Sequence, residues 1–350
     1  MPSLVAIEAV ADRRFVDHLR AAWDRGDAVL PVDPRLPAAA RRRLETALGA
    51  GGPVDDGDAL VLATSGTTGT PKGVVLTHAA LGAHARAVNR RLGVDPAADR
   101  WLACLPLSHV GGLGVVVRAV LTETPLAVRP TFDANTGATL VSLVPTLLDR
   151  VDASAFRVVL AGGSADWRVR GPNVVHTWGM TETGGGVVYD GAPLDGVEVR
   201  SAGGELLVRG PTLLRCYRDG TDPRDPDGWF PTGDAGTVEA GRVTVLGRRD
   251  ELIVTGGENV WPADVEEVLQ AHPAVAEAAV TGRPDTEWGQ RVVALVVPAL
   301  AAEPPTLAEL RAWVKDRRPA FCAPRELVVV GTLPRGAGGK LARDRLLDQE

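Results

Sequence analysis

The sequence predicts an α/β protein: a large N-terminal domain of mostly parallel βα layers with a small antiparallel β subdomain, then a small α+β C-terminal domain. Three observations carry this. Up to about residue 180, apolar runs of strand length alternate with helical patterns, the signature of βαβ units. From Pro193 the runs shorten and are divided by Gly, Asp and Pro turns, as in a small antiparallel sheet or barrel. After GRRDELIVTGG a compact mixture of helices and strands closes the chain in a glycine-rich loop.

Taken in order, ALVLA, WLACLP, RVVLAGG and NVVHTW read as strands. Between them THAALGAHARAVNRRLG and GLGVVVRAVLT read as helices, the first opened by Thr77 as N-cap. VEVR, GELLVRG, GTVE and RVTVLG are the short strands of the second texture. WPADVEEVLQAH then reads as a helix, with Pro262 in its first turn and Asp264, Glu266 and Glu267 complementing the helix dipole. AVAEAAVTG, RVVALVVP, a helix around 306–318 and ELVVVG complete the tail, which ends in LPRGAGGK. Ahead of ALVLA only a helix face at 41–43 is read, and there is no internal repeat.

Length and composition bound the function. A 350-residue chain that is 45% hydrophobic has ample core for more than one domain. A net charge of −6 argues against a nucleic-acid or anionic-membrane partner, either of which wants clustered cations. The basic stretches at 41–43 and 315–318 are mixed with acids and read as solvated helix faces. The N-terminus lacks a signal-peptide pattern and no apolar run approaches the roughly 20 residues of a membrane span, so a cytoplasmic location is expected. Cys104, Cys216 and Cys322 lack metal-ligand or CxxC spacing and read as buried thiols.

Only three residues are lysine, against 35 arginines, and two of them, Lys72 and Lys340, lie in glycine-rich loops near opposite ends of the chain. An ammonium is a compact point charge on a flexible stem, suited to one phosphate or one reacting oxygen. Lys72 closes the strongest local signal, LATSGTTGTPKGVVLTH at 62–78, in which Thr64, Ser65, Gly66, Thr67, Thr68 and their neighbours supply hydroxyls and backbone N–H groups after a strand. Such a loop can wrap a polyphosphate. It is not a Walker motif, because Lys72 follows Pro71 and precedes Gly73 rather than opening a helix with Ser or Thr.

At this point the chain resembles the acyl-adenylate-forming superfamily of acyl-CoA synthetases, carrier-loading adenylation domains and luciferases, whose phosphate loop is similar to SGTTGTPKG. Further motifs follow in the superfamily's order. LPLSHVGGL resembles the loop that carries an acyl-pocket histidine, here His109. AGGS, with Gly162, Gly163 and Ser164, and HTWGMTET resemble the adenine-binding segments. The resemblance implies that Trp178 stacks on the base, that Gly179, Met180 and Thr181 line the nucleotide, and that Glu182 is the magnesium ligand. PTGD implies Asp234 on the ribose hydroxyls. The segment 247–266 implies Arg248 on the ribose and Asp250 as a hinge, and PRGAGGK places Lys340 as the adenylation lysine. The implied organisation is an N-terminal domain over 1–248 that binds ATP and the acyl group, then a mobile cap over 249–350. Gly247, Gly256 and Gly257 would let that cap turn to admit coenzyme A, with Gly256 and Gly257 on the CoA side. The resemblance covers about residues 60–350, and most relatives carry a longer portion ahead of the phosphate loop.

The chemistry implied is ligation through an adenylate. A carboxylate is a poor acyl donor until AMP transfer from ATP turns it into a mixed anhydride, and two anions must then be brought together by Mg2+, Lys72 and Lys340. TETGGGVVYDGAPLDGVEVR further resembles the short o-succinylbenzoate:CoA ligases of menaquinone biosynthesis, which join an aromatic dicarboxylic acid to coenzyme A. One carboxylate is then activated and the other needs a partner. Arg118, the lone charge in an apolar helix, either snorkels to solvent or meets an anion. His109, Thr183, Gly184 and Gly185 would line the same acyl pocket. Two alternatives stay open: delivery to a carrier-protein phosphopantetheine, and a non-catalytic nucleotide binder. Neither nucleic acid nor membrane is expected as a partner, and a homodimer is the default oligomeric state.

Overall fold

The computed structural model describes residues 1–64, 71–148, 150–162, 171–335 and 341–348. The chain divides into two compact units. One is Met1–Arg200 with Leu207–Thr232 and Val238–Thr244; the other is Val245–Glu350 with Ser201–Leu206 and Gly233–Thr237.

The first unit holds two sheets. Five strands form the first, in the order Leu4–Glu8, Ala28–Val32, Asp58–Thr64, Lys72–Thr77 and Cys216–Tyr217. The first three run parallel, but Asp58–Thr64 and Lys72–Thr77 form an antiparallel hairpin whose register pairs Thr64 with Lys72. Leu4, Leu30, Val61 and Val75 make its core. Seven strands form the second sheet, in the order Ala192–Pro193, Gly185–Tyr189, Val174–Met180, Val158–Gly162, Leu140–Leu143, Trp101–Ala103 and Leu126–Val128. It is parallel from Val174–Met180 onward and antiparallel at the other end. The expected mostly parallel βα layers are therefore present, with the hairpin as an antiparallel insertion.

Local chemistry explains the helices that frame these sheets. His78–Leu92 starts where Thr77 accepts the Ala80 N–H at 3.1 Å and stops at Gly93, which takes the left-handed φ of +57° that side chains resist. Val110–Leu121 is capped by the His109 carbonyl, which accepts the Leu113 N–H at 2.9 Å, so the imidazole is not spent on the cap. Gly112 sits so close to the preceding loop that a Cβ would lie 2.5 Å from the Leu105 oxygen. Ahead of Asp58 the chain forms two parallel strands and the helices Arg13–Asp24 and Ala38–Ala47, the second carrying the helix face expected at 41–43. Asp12 caps the first of these helices, whose Phe15, Val16, Leu19 and Ala22 are buried.

In the second unit a sheet runs Glu258–Val260, Ile253–Thr255, Gly289–Pro298 and Val275–Asp285, with Glu326–Val329 added parallel to Gly289–Pro298. Helices Pro262–Gln270 and Leu307–Lys315 close its core of Val265, Leu269, Val280, Val292 and Leu310. Thr306 and Glu309 form a reciprocal capping box on the second helix. One expectation is corrected here. Glu266 does not serve the helix dipole: its carboxylate turns inward, accepts the Val280 N–H at 2.7 Å and takes both Nη groups of Arg343 at 2.8 and 2.9 Å. Arg343 also meets Glu251 at 3.0 Å. The four-stranded sheet of Glu198–Ala202, Glu205–Arg209, Phe230–Glu239 and Arg242–Arg248 supplies strands to both units.

Candidate active site

The hairpin of Asp58–Thr64 and Lys72–Thr77 is held from one side by the segment that follows Thr212. Arg215 donates its N–H to the Val75 oxygen, and Arg218 donates its own to the Gly73 oxygen at 2.7 Å. The Arg215 guanidinium binds both oxygens of buried Asp58, the first residue of the hairpin, at 2.8 and 2.9 Å. Gly73 is required by this packing, since a Cβ there would stand 2.9 Å from the Arg218 and Val61 side chains. Thr64 and Lys72 thus leave the sheet side by side, Lys72 exposed, at the two ends of the loop. Ser65, Gly66, Thr67 and Thr68 lie outside the described residues, as do Gly163, Ser164 and Lys340.

Glu182 reaches the same region. It sits in the turn Thr181–Thr183 after the strand Val174–Met180, and its carbonyl accepts the Leu214 N–H at 2.7 Å. Its Oε1 accepts the Tyr217 hydroxyl at 3.2 Å, while the Lys72 ammonium stands 5.0 Å from the centre of the Tyr217 ring. Burial, then the Glu182 charge, push the Tyr217 phenol up, so it remains a proton donor. Among the described residues no other side chain meets the Glu182 carboxylate, and none of them form a three-ligand cluster of His, Cys, Asp and Glu. That donor set suits Mg2+, which keeps waters and binds through one or two carboxylates plus substrate phosphates rather than in an all-protein cage.

Gly162, Trp178, Gly179, Met180 and Thr181 all lie on or beside the paired strands Val158–Gly162 and Val174–Met180, with Trp178 buried. Gly179 is needed because the neighbouring strand crosses closely: a Cβ there would fall 2.1 Å from the Gly185 oxygen. Thr183 is fully buried and spends its hydroxyl inside the turn, donating to the Gly185 oxygen at 2.6 Å and accepting the Met180 N–H at 2.9 Å. It shapes the loop rather than offering a hydroxyl outward.

Beside Gly184 and Gly185 lies a buried polar cluster. Arg118 is 5% exposed, which excludes snorkelling to solvent. Its guanidinium stands 4.5 Å from the Trp101 ring centre, and its Nε and Nη1 have no hydrogen-bond partner among the described residues. Burial lowers its pKa, the mark of a cation lacking a counter-charge. His84, also buried, bonds the Gly186 oxygen at 2.9 Å, and its imidazole approaches Gly185. Burial first, then the Arg118 charge, lower its pKa to about 4. Sequence reasoning missed His84 and Tyr217: each meets its partner through tertiary pairing far along the chain, with no local pattern to mark it.

In the second unit Arg248 lies 3.4 Å from Asp234 and 3.3 Å from Asp250. Burial alone would lower the Arg248 pKa, but Asp234 and Asp250 outweigh it and the net direction is upward. Gly233, at φ +73°, lets Arg248 pass, since a Cβ there would meet its Nη2 at 2.8 Å. Gly256 and Gly257 are exposed, both at positive φ, and Trp288 covers the first.

In the first unit a hairpin with an exposed lysine lies beside an acidic residue suited to magnesium, and this fits an ATP-dependent, adenylate-forming enzyme. The comparisons agree. The model of the AMP-binding enzyme family matches residues 50–218, and that of the AMP-binding enzyme C-terminal domain matches residues 264–340. A probable 2-succinylbenzoate–CoA ligase of Mycobacterium tuberculosis is 42% identical over 352 residues, covering 90% of this chain and 91% of its own. A 2-succinylbenzoate–CoA ligase of Bacillus cereus is 35% identical over 335 residues, 82% of this chain and 69% of its own. The o-succinylbenzoate CoA synthetase of Bacillus subtilis in complex with the acyl-adenylate intermediate OSB-AMP superposes with a TM-score of 0.86 at 27% identity, covering 98% of this chain and 88% of that one. The same enzyme with ATP and magnesium ion gives 0.86 at 27% identity, covering 99% and 89%. The chain belongs to the AMP-binding enzyme family, among its acyl-CoA ligases. The resemblance read from its motifs is borne out.

Proposed function

We propose that the protein joins 2-succinylbenzoate to coenzyme A in two steps, for menaquinone biosynthesis. In the first, a carboxylate oxygen attacks the α-phosphorus of ATP, the bond to the β-phosphate oxygen breaks, and pyrophosphate leaves. In the second, the CoA sulfur attacks the acyl carbon, the bond to AMP breaks, and the thiol proton leaves to solvent or phosphate. The observation that carries the choice of acid is Arg118. A buried guanidinium with two unmatched donors suits a substrate that brings a second carboxylate, and a monocarboxylic acid would leave it unpaired.

The remaining roles follow from the site. Lys72 and the loop Thr64–Thr68 take the phosphates, and Lys340 offsets charge between the carboxylate and the α-phosphate. Trp178, with Gly162 to Ser164 and Gly179 to Thr181, borders the adenine, while Asp234 and Arg248 take the ribose. Glu182 would hold Mg2+, which when bound neutralises phosphate charge. His109 and the Thr183–Gly185 turn line the acyl group; Gly256 and Gly257 serve CoA, and residues 249–350 act as a cap hinged at Asp250. We place the enzyme in the cytoplasm, as a homodimer. Among the described residues no helix is long and apolar enough to cross a membrane. The reading is tested by comparing turnover of 2-succinylbenzoate and benzoate by wild type and Arg118→Leu. Loss confined to the dicarboxylate supports it; equal loss on both acids refutes the Arg118 role.

A further inference from the structure

We infer that Tyr217 is a positioning residue that sets two groups serving the nucleotide at once: its hydroxyl orients the Glu182 carboxylate and its ring seats the Lys72 ammonium. The inference rests on the reading of Glu182 and Lys72 as the magnesium and phosphate groups. Its basis is geometric. The hydroxyl donates to Glu182 Oε1 at 3.2 Å, and the ammonium stands 5.0 Å from the ring centre.

The backbone shows that this arrangement is built rather than incidental. Cys216 and Tyr217 pair antiparallel with Val75 and Val74, two residues beyond Lys72. On one side of Tyr217, Leu214 binds the Glu182 carbonyl; on the other, Arg218 binds the Gly73 carbonyl, each at 2.7 Å. The segment around the short strand is therefore tied to the Glu182 backbone and to the residues just after Lys72, and the tyrosine spans from one side chain to the other. A carboxylate with one oxygen fixed by a phenol presents its second oxygen in a defined direction. A lysine over an aromatic face loses less freedom when it meets a phosphate, because its stem is already partly ordered. The hydroxyl thus acts on the metal side and the ring on the phosphate side.

The two parts are separable. Binding of ATP to the full-length protein, with Mn2+ in place of Mg2+ and free Mn2+ read by electron paramagnetic resonance, gives a readout independent of turnover. Tyr217→Phe keeps the ring and removes the hydroxyl; it weakens Mn2+–ATP binding roughly tenfold, the size of one hydrogen bond to a charged group, and leaves metal-free ATP binding unchanged. Tyr217→Leu additionally weakens metal-free ATP binding, by about two- to fivefold. In a Glu182→Gln background Tyr217→Phe has no further effect, an outcome that a general folding defect does not produce. Mn2+–ATP binding by Tyr217→Phe equal to wild type, or an effect that adds in full to Glu182→Gln, overturns the inference. If Tyr217 controls Mn2+–ATP binding as stated while wild type forms no acyl-adenylate from any acid, the proposed function fails and this inference stands.

Discussion

The guanidinium of Arg118 packs over the Trp101 ring at 4.5 Å, and among the described residues its Nε and Nη1 have no hydrogen-bond partner. A buried cation with unmatched donors is costly to the free protein, and the cost is offset when an anion arrives. Arg118→Leu is accordingly expected to leave the unliganded protein as stable as wild type or more so, while kcat/KM for 2-succinylbenzoate falls by about 10²–10³, the cost of losing one buried charge-paired contact. Thermal melts and steady-state kinetics on the same preparations check both halves.

His84 supplies a pH dependence. Its folded pKa of about 4 lies below the ordinary 6.5 because burial, then Arg118, disfavour the imidazolium. The unfolded chain therefore binds the extra proton first. The stability contribution is complete above pH 6.5 and is lost as pH falls toward 4, by at most roughly 3–4 kcal/mol at about 1.4 kcal/mol per pH unit. His84→Gln keeps a donor for the Gly186 oxygen and removes the titration. Urea unfolding from pH 7 to pH 4 should show a shallower decline in the variant.

The Glu266–Arg343 pair predicts a stability effect in the second unit. Glu266→Ala leaves Arg343 with Glu251 and the Val280 oxygen and orphans the Val280 N–H, for a cost of roughly 2–4 kcal/mol, discounted for the partial exposure of Arg343. Denaturant unfolding followed by the fluorescence of Trp313, whose indole binds the Val268 oxygen in the same unit, measures it.

Separating the half-reactions tests the cap. Lys340→Ala should lower adenylate formation by about 10²–10³ with a much smaller effect on nucleotide binding. Asp250→Pro should spare adenylate formation and block thioester formation, because a hinge residue matters only when the second step needs a different arrangement. Pyrophosphate release and acyl-CoA formation are assayed apart; an equal loss of both in Asp250→Pro removes the hinge role.

What could be read in the sequence was what local chemistry dictates. Thr77 and Gly93 bound their helix in both, and Lys72 was marked by its rarity and by the hydroxyls and glycines ahead of it. Ala28–Val32 was not legible because Pro31 argues against a strand, yet this strand lies buried between two parallel neighbours. Glu266 sat where the dipole rule welcomes an acid, and only the fold brought Arg343 to it from 77 residues away. Tyr217 occupies a two-residue strand with no periodicity to detect, and its partner lies 35 residues earlier. Arg118 was visible as a misplaced charge, but whether it faced water or an interior site depended on packing.

The most direct measurement of the central claim is mass spectrometry of the products formed from ATP, Mg2+, coenzyme A and 2-succinylbenzoate, run beside a panel of other carboxylic acids. Selective formation of the 2-succinylbenzoyl-CoA thioester with AMP and pyrophosphate is the predicted result. Acyl-adenylate without thioester, or thioester formed preferentially from a monocarboxylic acid, would contradict it.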